Sequence, residues 1–239
     1  MAVKRRSKRK RAISENEVVI PVVTKGMVGG KFKPLSDHEI EQIHQTTLDV
    51  LENIGMTNPL PQFKEVALEH GCNFTDQGRL CFPRSLVEDV IARAGRDFVM
   101  YGRDPKHDVE MSDKKVHLYG GGEAVTILDL GATTYRPSTI NDVYDIARVV
   151  DYLDNIHSYS RLVVATEFTD LLKTDINTAY ASVVGTTKHT ALTFASGKHV
   201  KPTIEMLEMI AGGEGKFLER PFCHGGGCTV VSPLRYGTD

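Results

Sequence analysis

The chain has 239 residues, 41% hydrophobic and 25% charged, which suits one large packed domain or a domain with an added lobe. A net charge of −2 argues against a nucleic-acid surface spread over the whole chain. The longest apolar runs fall well short of the ~20 residues a membrane helix needs, and no apolar segment follows the basic N-terminus as a signal peptide requires.

Lys4 to Arg11, KRRSKRKR, is a block of like charges that buries nothing. It reads as a solvated arm, with contact to an acidic partner as the sharper alternative. No helical period appears before Lys33, so residues 1–33 are predicted to be a basic disordered or extended arm. Order is expected to begin at PLSDHEIEQIHQTTLDVLENIG, where Ser36 and Glu39 form a capping box and Leu35 can staple to Ile40. Ile40, Ile43, Thr47, Val50, Leu51 and Ile54 mark the expected inward face, Gly55 the stop, and His38 and His44 the polar side. A shorter helix is predicted from Pro61 to His70 with Phe63, Val66 and Ala67 inward. CNFTDQGRLCF reads as a hairpin around Asp76-Gln77-Gly78, and Pro83 opens a third helix closed by Gly95. FVMYG, VHLYG, AVTILD and TTYRP follow as short strands, with GRDPKHD as a turn. Residues 34–137 are thus predicted to be a helical lobe plus a small antiparallel sheet.

From Ser138 the pattern changes to alternating strands and helices. STINDVYDIARVVDYLDN is amphipathic, with Ile140, Val143, Ile146, Ala147, Val150 and Leu153 on one side. IHSYSRLVV, HTALTFAS and FCHGGGCTVVSPL read as strands, separated by helices in TDLLKTDINTAYASVVG and HVKPTIEMLEMIAGG. Units of this kind predict parallel strands with right-handed crossovers. A doubly wound sheet uses about five strands and a (β/α)8 barrel eight. Residues 138–239 are therefore expected to be three β/α units at the front of something longer.

Four cysteines, Cys72, Cys81, Cys223 and Cys228, form no C-x-x-C pair and read as reduced thiols of a cytosolic protein. Cys223, His224 and Cys228 offer zinc donors, but consecutive residues of a strand point to opposite faces, so convergence would need a bulge. Buried thiols, with glycines where the backbone approaches another group, are the competing reading. HGGG resembles an esterase oxyanion loop, yet no G-x-S-x-G accompanies it. YGGGE, from Tyr119 to Glu123, leads into a strand rather than a helix and reads as a flexible hairpin loop, not a phosphate cradle. If the parallel strands belong to a barrel, the rim at their carboxyl ends holds Arg161, Ser196 and Ser232, the last with Pro233. A structural ion pair for Arg161 and loop caps for the serines are the competing reading.

LSDHEIEQIHQTTLDVLENIGM, TYRPSTINDVYDIARVVDYLDNI, GTTKHTALTF and VVSPLRY, in that order, resemble the trimethylamine methyltransferase family over residues 33–239. The resemblance implies an α/β fold: the N-terminal part of a (β/α)8 TIM barrel, preceded by a helical lobe and a small antiparallel sheet. It implies transfer of a methyl group from trimethylamine, or a betaine-type relative, to the cobalt of a cognate corrinoid protein. The corrinoid would come with that partner, and the chain itself would bind no cofactor. A cytoplasmic homo-oligomer without nucleic-acid or membrane partners is implied as well. Trimethylamine enzymes of this family carry pyrrolysine, at a position that would fall beyond Asp239, where the catalytic residues are also expected; the chain alone is expected not to turn over. A methylated ammonium ligand suits aromatic faces or a carboxylate; Tyr159 and Phe194 are candidates, with ordinary barrel packing as the competing reading for each. Two alternatives stand beside this reading: a zinc-dependent corrinoid or thiol methyltransferase using Cys223, His224 and Cys228, and a non-catalytic module that binds an amine or a partner protein.

Overall fold

The computed structural model describes residues 24–112, 114–227 and 229–237; the basic block Lys4 to Arg11 and Cys228 lie outside the described residues. Within the predicted arm, a short strand β1 (Met27–Val28) is the first element. Helix α1 (Asp37–Asp49) opens on the expected capping box: Ser36 Oγ accepts from the Glu39 amide at 3.3 Å, and the Glu39 carboxylate accepts from the Ser36 amide at 2.7 Å. A π-helical turn, Val50–Ile54, extends α1 to Gly55.

Then come β2 (Met56–Thr57), α2 (Pro61–Glu69), the hairpin β3 (Asn73–Phe74) and β4 (Arg79–Cys81), and α3 (Arg84–Arg93). Ala67, Cys72 and Leu80 form the buried centre of this lobe, with Phe82, Leu86 and Tyr236 packed around it. The inward face predicted for α1 is corrected. Ile40 and Ile43 are 52% and 56% exposed, whereas Leu48 is buried at 1%. Helix α1 packs on α3 and the π-turn near its own C-terminal end, so burial selects Leu48 and leaves the N-terminal isoleucines uncovered. Phe63 and Val66 of α2 also stay largely exposed, because strands of two or three residues give the lobe little surface to cover them.

The predicted single antiparallel sheet is instead a set of separate ladders. β5 (Phe98–Met100) pairs with β6 (Val109–Met111), a strand the sequence reading missed; β7 (Lys115–Val116) pairs with β1; β8 (Thr126–Ile127) pairs with β9 (Arg136–Pro137). Arg136 donates to Asp129 at 2.7 Å and to Asp142 at 2.7 Å, tying β9 to the first turn of the next helix. That hydrogen bond holds the Asp142 carboxyl well below the usual carboxylate range.

Helix α4 (Ile140–Tyr152) begins with the Thr139–Asp142 capping box and buries Val143, Ala147 and Val150 as its period predicts. β10 (Ser158–Ser160), α5 (Leu171–Gly185), β11 (His189–Thr193), α6 (Val200–Ala211), the single turn α7 (Lys216–Glu219) and β12 (Cys223–Gly226) follow. β10, β11 and β12 are parallel and adjacent in chain order, in register Ser160↔Ala191↔His224. Among the described residues this sheet has three strands and does not close on itself. Helices α4 and α5 cross closely at Gly185, where a Cβ would lie 2.6 Å from Ala147 Cβ and 2.9 Å from Tyr144 O.

The last strand predicted from the sequence, Phe222 to Leu234, is two pieces. β12 ends at Gly226, and β13 (Val230–Val231) pairs instead with β14 (Arg235–Tyr236), which lies parallel to β2 of the helical lobe. The sheet there runs β13-β14-β2-β4-β3. Glycines 225 to 227 offer no side chains to hold the chain in line, while Tyr236 packs edge-on to Phe63 at 5.2 Å between ring centroids. No helix among the described residues is long and apolar enough to cross a membrane.

Candidate functional site

Strand alternation gives the parallel sheet two unlike faces. One meets the helices: Tyr159 is 1% exposed, packs with Ala147 and Val150, and donates its hydroxyl to Val143 O at 3.4 Å. Cys223 lies on the same side with Ala179, Val183 and Leu207. Burial pushes both side chains up to about 12. The other face carries Ser160, His189, Ala191, Thr193 and His224, read from the register of the three strands.

At the carboxyl end of that second face a polar cluster forms. Arg161 Nη2 lies 2.9 Å from Glu123 Oε1, and Thr193 Oγ1 donates to the same oxygen at 2.7 Å. Burial alone would raise the Glu123 carboxyl, but the Thr193 hydrogen bond and the Arg161 charge outweigh it and hold the group below its usual range. The loop that brings Glu123 here is not the flexible hairpin predicted from YGGGE. It runs beside β10 between two parallel bridges, Tyr119↔Ser158 and Ala124↔Val163. Ala124 N donates to Leu162 O and Val164 N to Ala124 O, both at 2.9 Å. Arg161 Nε is buried and has no partner among the described residues.

A second pair sits further down the same face. His189 Nε2 is 2.9 Å from His224 Nδ1, the two ring planes lie within 18° of each other and meet edge to edge with centroids 5.2 Å apart, and His189 Nδ1 is 2.8 Å from Tyr101 O.

The site residues expected from sequence are dispersed. Arg161 is at the rim and does make an ion pair, as its competing reading had it. Tyr159 faces α4, on the opposite side of the sheet from His224. Phe194 and Ser196 line a cavity of about 610 Å³ together with Thr203, Leu207, Phe217 and Cys223, between the ends of β11 and β12 and helix α6. Ser196 also caps the short turn Gly197–His199. That loop is fixed from below by Asp175, which accepts from Ala195 N at 2.8 Å and lies 2.7 Å from His199 Nδ1. Gly225 is where the backbone meets another group closely: a Cβ there would be 2.5 Å from Phe194 Cε2. Ser232 is displaced altogether, standing in the exposed turn between β13 and β14 rather than at the end of β12. Cys223 and His224 point to opposite faces, and among the described residues no group of three or more His, Cys, Asp or Glu could hold a metal ion. Glu123, Thr193 and His189 escaped the sequence reading. The alternation in HTALT would have placed His189 and Thr193 together, but nothing local links either to Glu123 or His224.

Fold and site define a mixed α/β chain whose three-stranded parallel sheet bears a carboxylate–guanidinium–hydroxyl cluster at its carboxyl rim. A family model described as Trimethylamine methyltransferase (MTTB) matches residues 2–239, and the chain belongs to that family. It is 32% identical over 201 residues to the trimethylamine methyltransferase MttB of Desulfitobacterium hafniense (strain DSM 10664 / DCB-2), spanning 84% of this chain and 40% of the relative. Identity to MttB of Methanosarcina thermophila is 26% over 190 residues, 78% of this chain and 39% of the relative. Identity to the glycine betaine methyltransferase of Desulfitobacterium hafniense (strain Y51) is 21% over 197 residues, 82% of this chain and 40% of the relative. The chain thus spans about two fifths of the length of these relatives.

Proposed function

We propose that this chain serves a methyltransferase that moves a methyl group from trimethylamine, or a related methylated amine, to the cobalt of a corrinoid protein. The observation that carries the reading is the family match over residues 2–239. The consecutive parallel order of β10, β11 and β12 agrees with it. In this reading residues 138–239 supply the first three units of a (β/α)8 barrel, residues 34–137 form the lobe before it, and the active site lies at the carboxyl rim, as in barrels generally. The corrinoid is held by the partner, which docks over that rim, and the enzyme works in the cytoplasm as a homo-oligomer.

The chemistry asks little covalent work of these residues. A methylated amine loses a methyl group readily only when its nitrogen lone pair is occupied, by a proton or a fourth carbon. The electron pair of the C–N bond then stays on a neutral leaving amine, while cobalt(I) supplies the pair for the new bond to carbon. The protein's share is to hold the methyl carbon in line and exclude water, which can lower a barrier by ~7–11 kcal/mol in favourable cases. Arg161, Glu123 and Thr193 would set the polar wall of that pocket. The test uses the protein expressed from its complete gene, its corrinoid partner in the cobalt(I) state, and a series of methylated amines. Loss of the cobalt(I) absorbance that depends on the amine is expected. No loss with any methylated amine would reject the proposal.

A further inference from the structure

Residues 118–124 run parallel to β10 as a strap whose first residue is tied to a buried histidine. His157, 4% exposed, donates its amide to Leu118 O at 2.7 Å, and its Nδ1 accepts from the Leu118 amide at 3.0 Å. An amide N–H only donates, so Nδ1 carries no proton and a neutral His157 holds its hydrogen on Nε2. From that tie the strap continues through the Tyr119↔Ser158 bridge to Ala124, whose amide donates to Leu162 O at 2.9 Å. On the way it carries Glu123 to Arg161 and Thr193. The ring packs against His117, with the two planes at 82° and centroids 5.4 Å apart, and His117 Nε2 lies 3.1 Å from Glu110 O. The groups acting on His157 come from three elements, and each disfavours a positive charge on it: His117 after β7, Lys25 before β1 and Lys188 before β11. The carboxylates around these act on other groups: Glu110 pairs with Lys115, Asp151 accepts from Thr186 and Thr187, and Asp154 acts on Lys188.

We propose that His157 is an acid-sensitive latch: a second proton on its ring releases residues 118–124 from β10 and frees Glu123 from Arg161. That proton has to sit on Nδ1, where it meets the Leu118 N–H donor to donor, and the hydrogen bond is lost. Burial, with His117, Lys25 and Lys188 adding to it, holds the closed ring below its ordinary range. The proton therefore binds the open strap more tightly than the closed one. Closure is fully present above about pH 6.5 and weakens as pH falls below that value, by up to ~10-fold in the opening constant per pH unit. The latch goes beyond the proposed reaction, since it works in the same way whatever ligand the rim takes.

Amide hydrogen exchange of the protein expressed from its gene tests the latch, read at Leu118, His157 and Ala124 from about pH 7.5 down to about pH 5 and corrected for the intrinsic pH dependence of exchange. Protection at these three amides is expected to fall by up to ~10-fold per unit below about pH 6.5. Thr190, whose amide donates to Phe222 O between β11 and β12, should keep its protection over the same range. His157→Asn supplies an amide oxygen that accepts from Leu118 N and takes no proton, so its strap should stay protected throughout. Flat protection of the strap in the unaltered protein, an equal loss at Thr190, or the same loss in His157→Asn would overturn the proposal. Where that variant does not fold, nitrogen-15 spectra of the unaltered, histidine-labelled protein decide. An Nε2–H tautomer of His157 at neutral pH that gains its second proton as protection is lost supports the latch. An Nδ1–H tautomer, or a ring that stays neutral while protection falls, overturns it.

Discussion

Lys188 is 2% exposed, yet its Nζ is not short of partners: it donates to Val150 O at 2.6 Å, Leu153 O at 2.7 Å and Ile156 O at 2.6 Å. An ammonium there satisfies carbonyls at the end of α4, where the helix dipole is negative. Asp151 works beside it, accepting from the Thr187 amide at 2.6 Å and the Thr186 hydroxyl at 2.8 Å. Together these bonds join the end of α4 to the entry of β11. Lys188→Met keeps much of the volume but strands the carbonyls; a loss of about 2–4 kcal/mol in urea unfolding is expected. A loss under ~0.5 kcal/mol would show that water replaces the ammonium without cost. Sequence alone could not assign this role. A lysine before a strand reads as solvent-facing by default, and the three acceptors lie more than thirty positions upstream. Glu123 was hidden for the same reason, since its partners are Arg161 and Thr193.

At the level of elements, both α1 and α4 were legible as capped helices, but the buried face was legible only for α4. Both have a helical period and a capping box, but α4 packs along its length against α5 and β10, so its period and its burial coincide. Helix α1 meets neighbours mainly at one end, and there the period gives no guide to which turn is covered. The crossing of α4 and α5 depends on Gly185. Gly185→Ala brings a methyl into Ala147 Cβ and Tyr144 O and should cost about 1–3 kcal/mol in denaturant unfolding. Adding Ala147→Gly should recover part of that loss; no recovery would mean that the clash with Tyr144 O dominates. The break of the final strand after Gly226 was likewise invisible, because TVV has strand propensity wherever it pairs, and only the packing of Tyr236 in the lobe decides where.

For the molecule as a whole, three buried groups bound the pH range of stability. His189 titrates at about 4 in the fold against ~6.5 unfolded, so the unfolded chain binds the extra proton between those values and stability falls as pH drops through that window. The Cys223 thiol and Tyr159 hydroxyl are both pushed up to about 12 by burial, from ~8.5 and ~10. There the folded chain retains protons that the unfolded chain releases, and stability falls as pH rises from ~9 toward ~12. A plateau between roughly pH 6.5 and 9 is expected in denaturant midpoints, with the acid limb flattened by His189→Gln. An unchanged acid limb in that variant would assign the loss to other groups.

Family membership and the parallel order of the last three described units of the sheet were both readable from segment order along the chain. The face that carries the polar rim was not, since it is assembled from a glycine loop, a strand end and a neighbouring strand. The most direct measurement is therefore single-turnover methyl transfer to the corrinoid protein proposed as partner, by the protein expressed from its gene, compared with Arg161→Ala and Glu123→Ala proteins whose unfolding temperatures stay close to that of the unaltered protein. Rates lowered by about tenfold to a thousandfold in both variants are expected, in line with the loss of a preorganised polar contact. Unaltered rates in both would contradict the placement of the reaction at this rim.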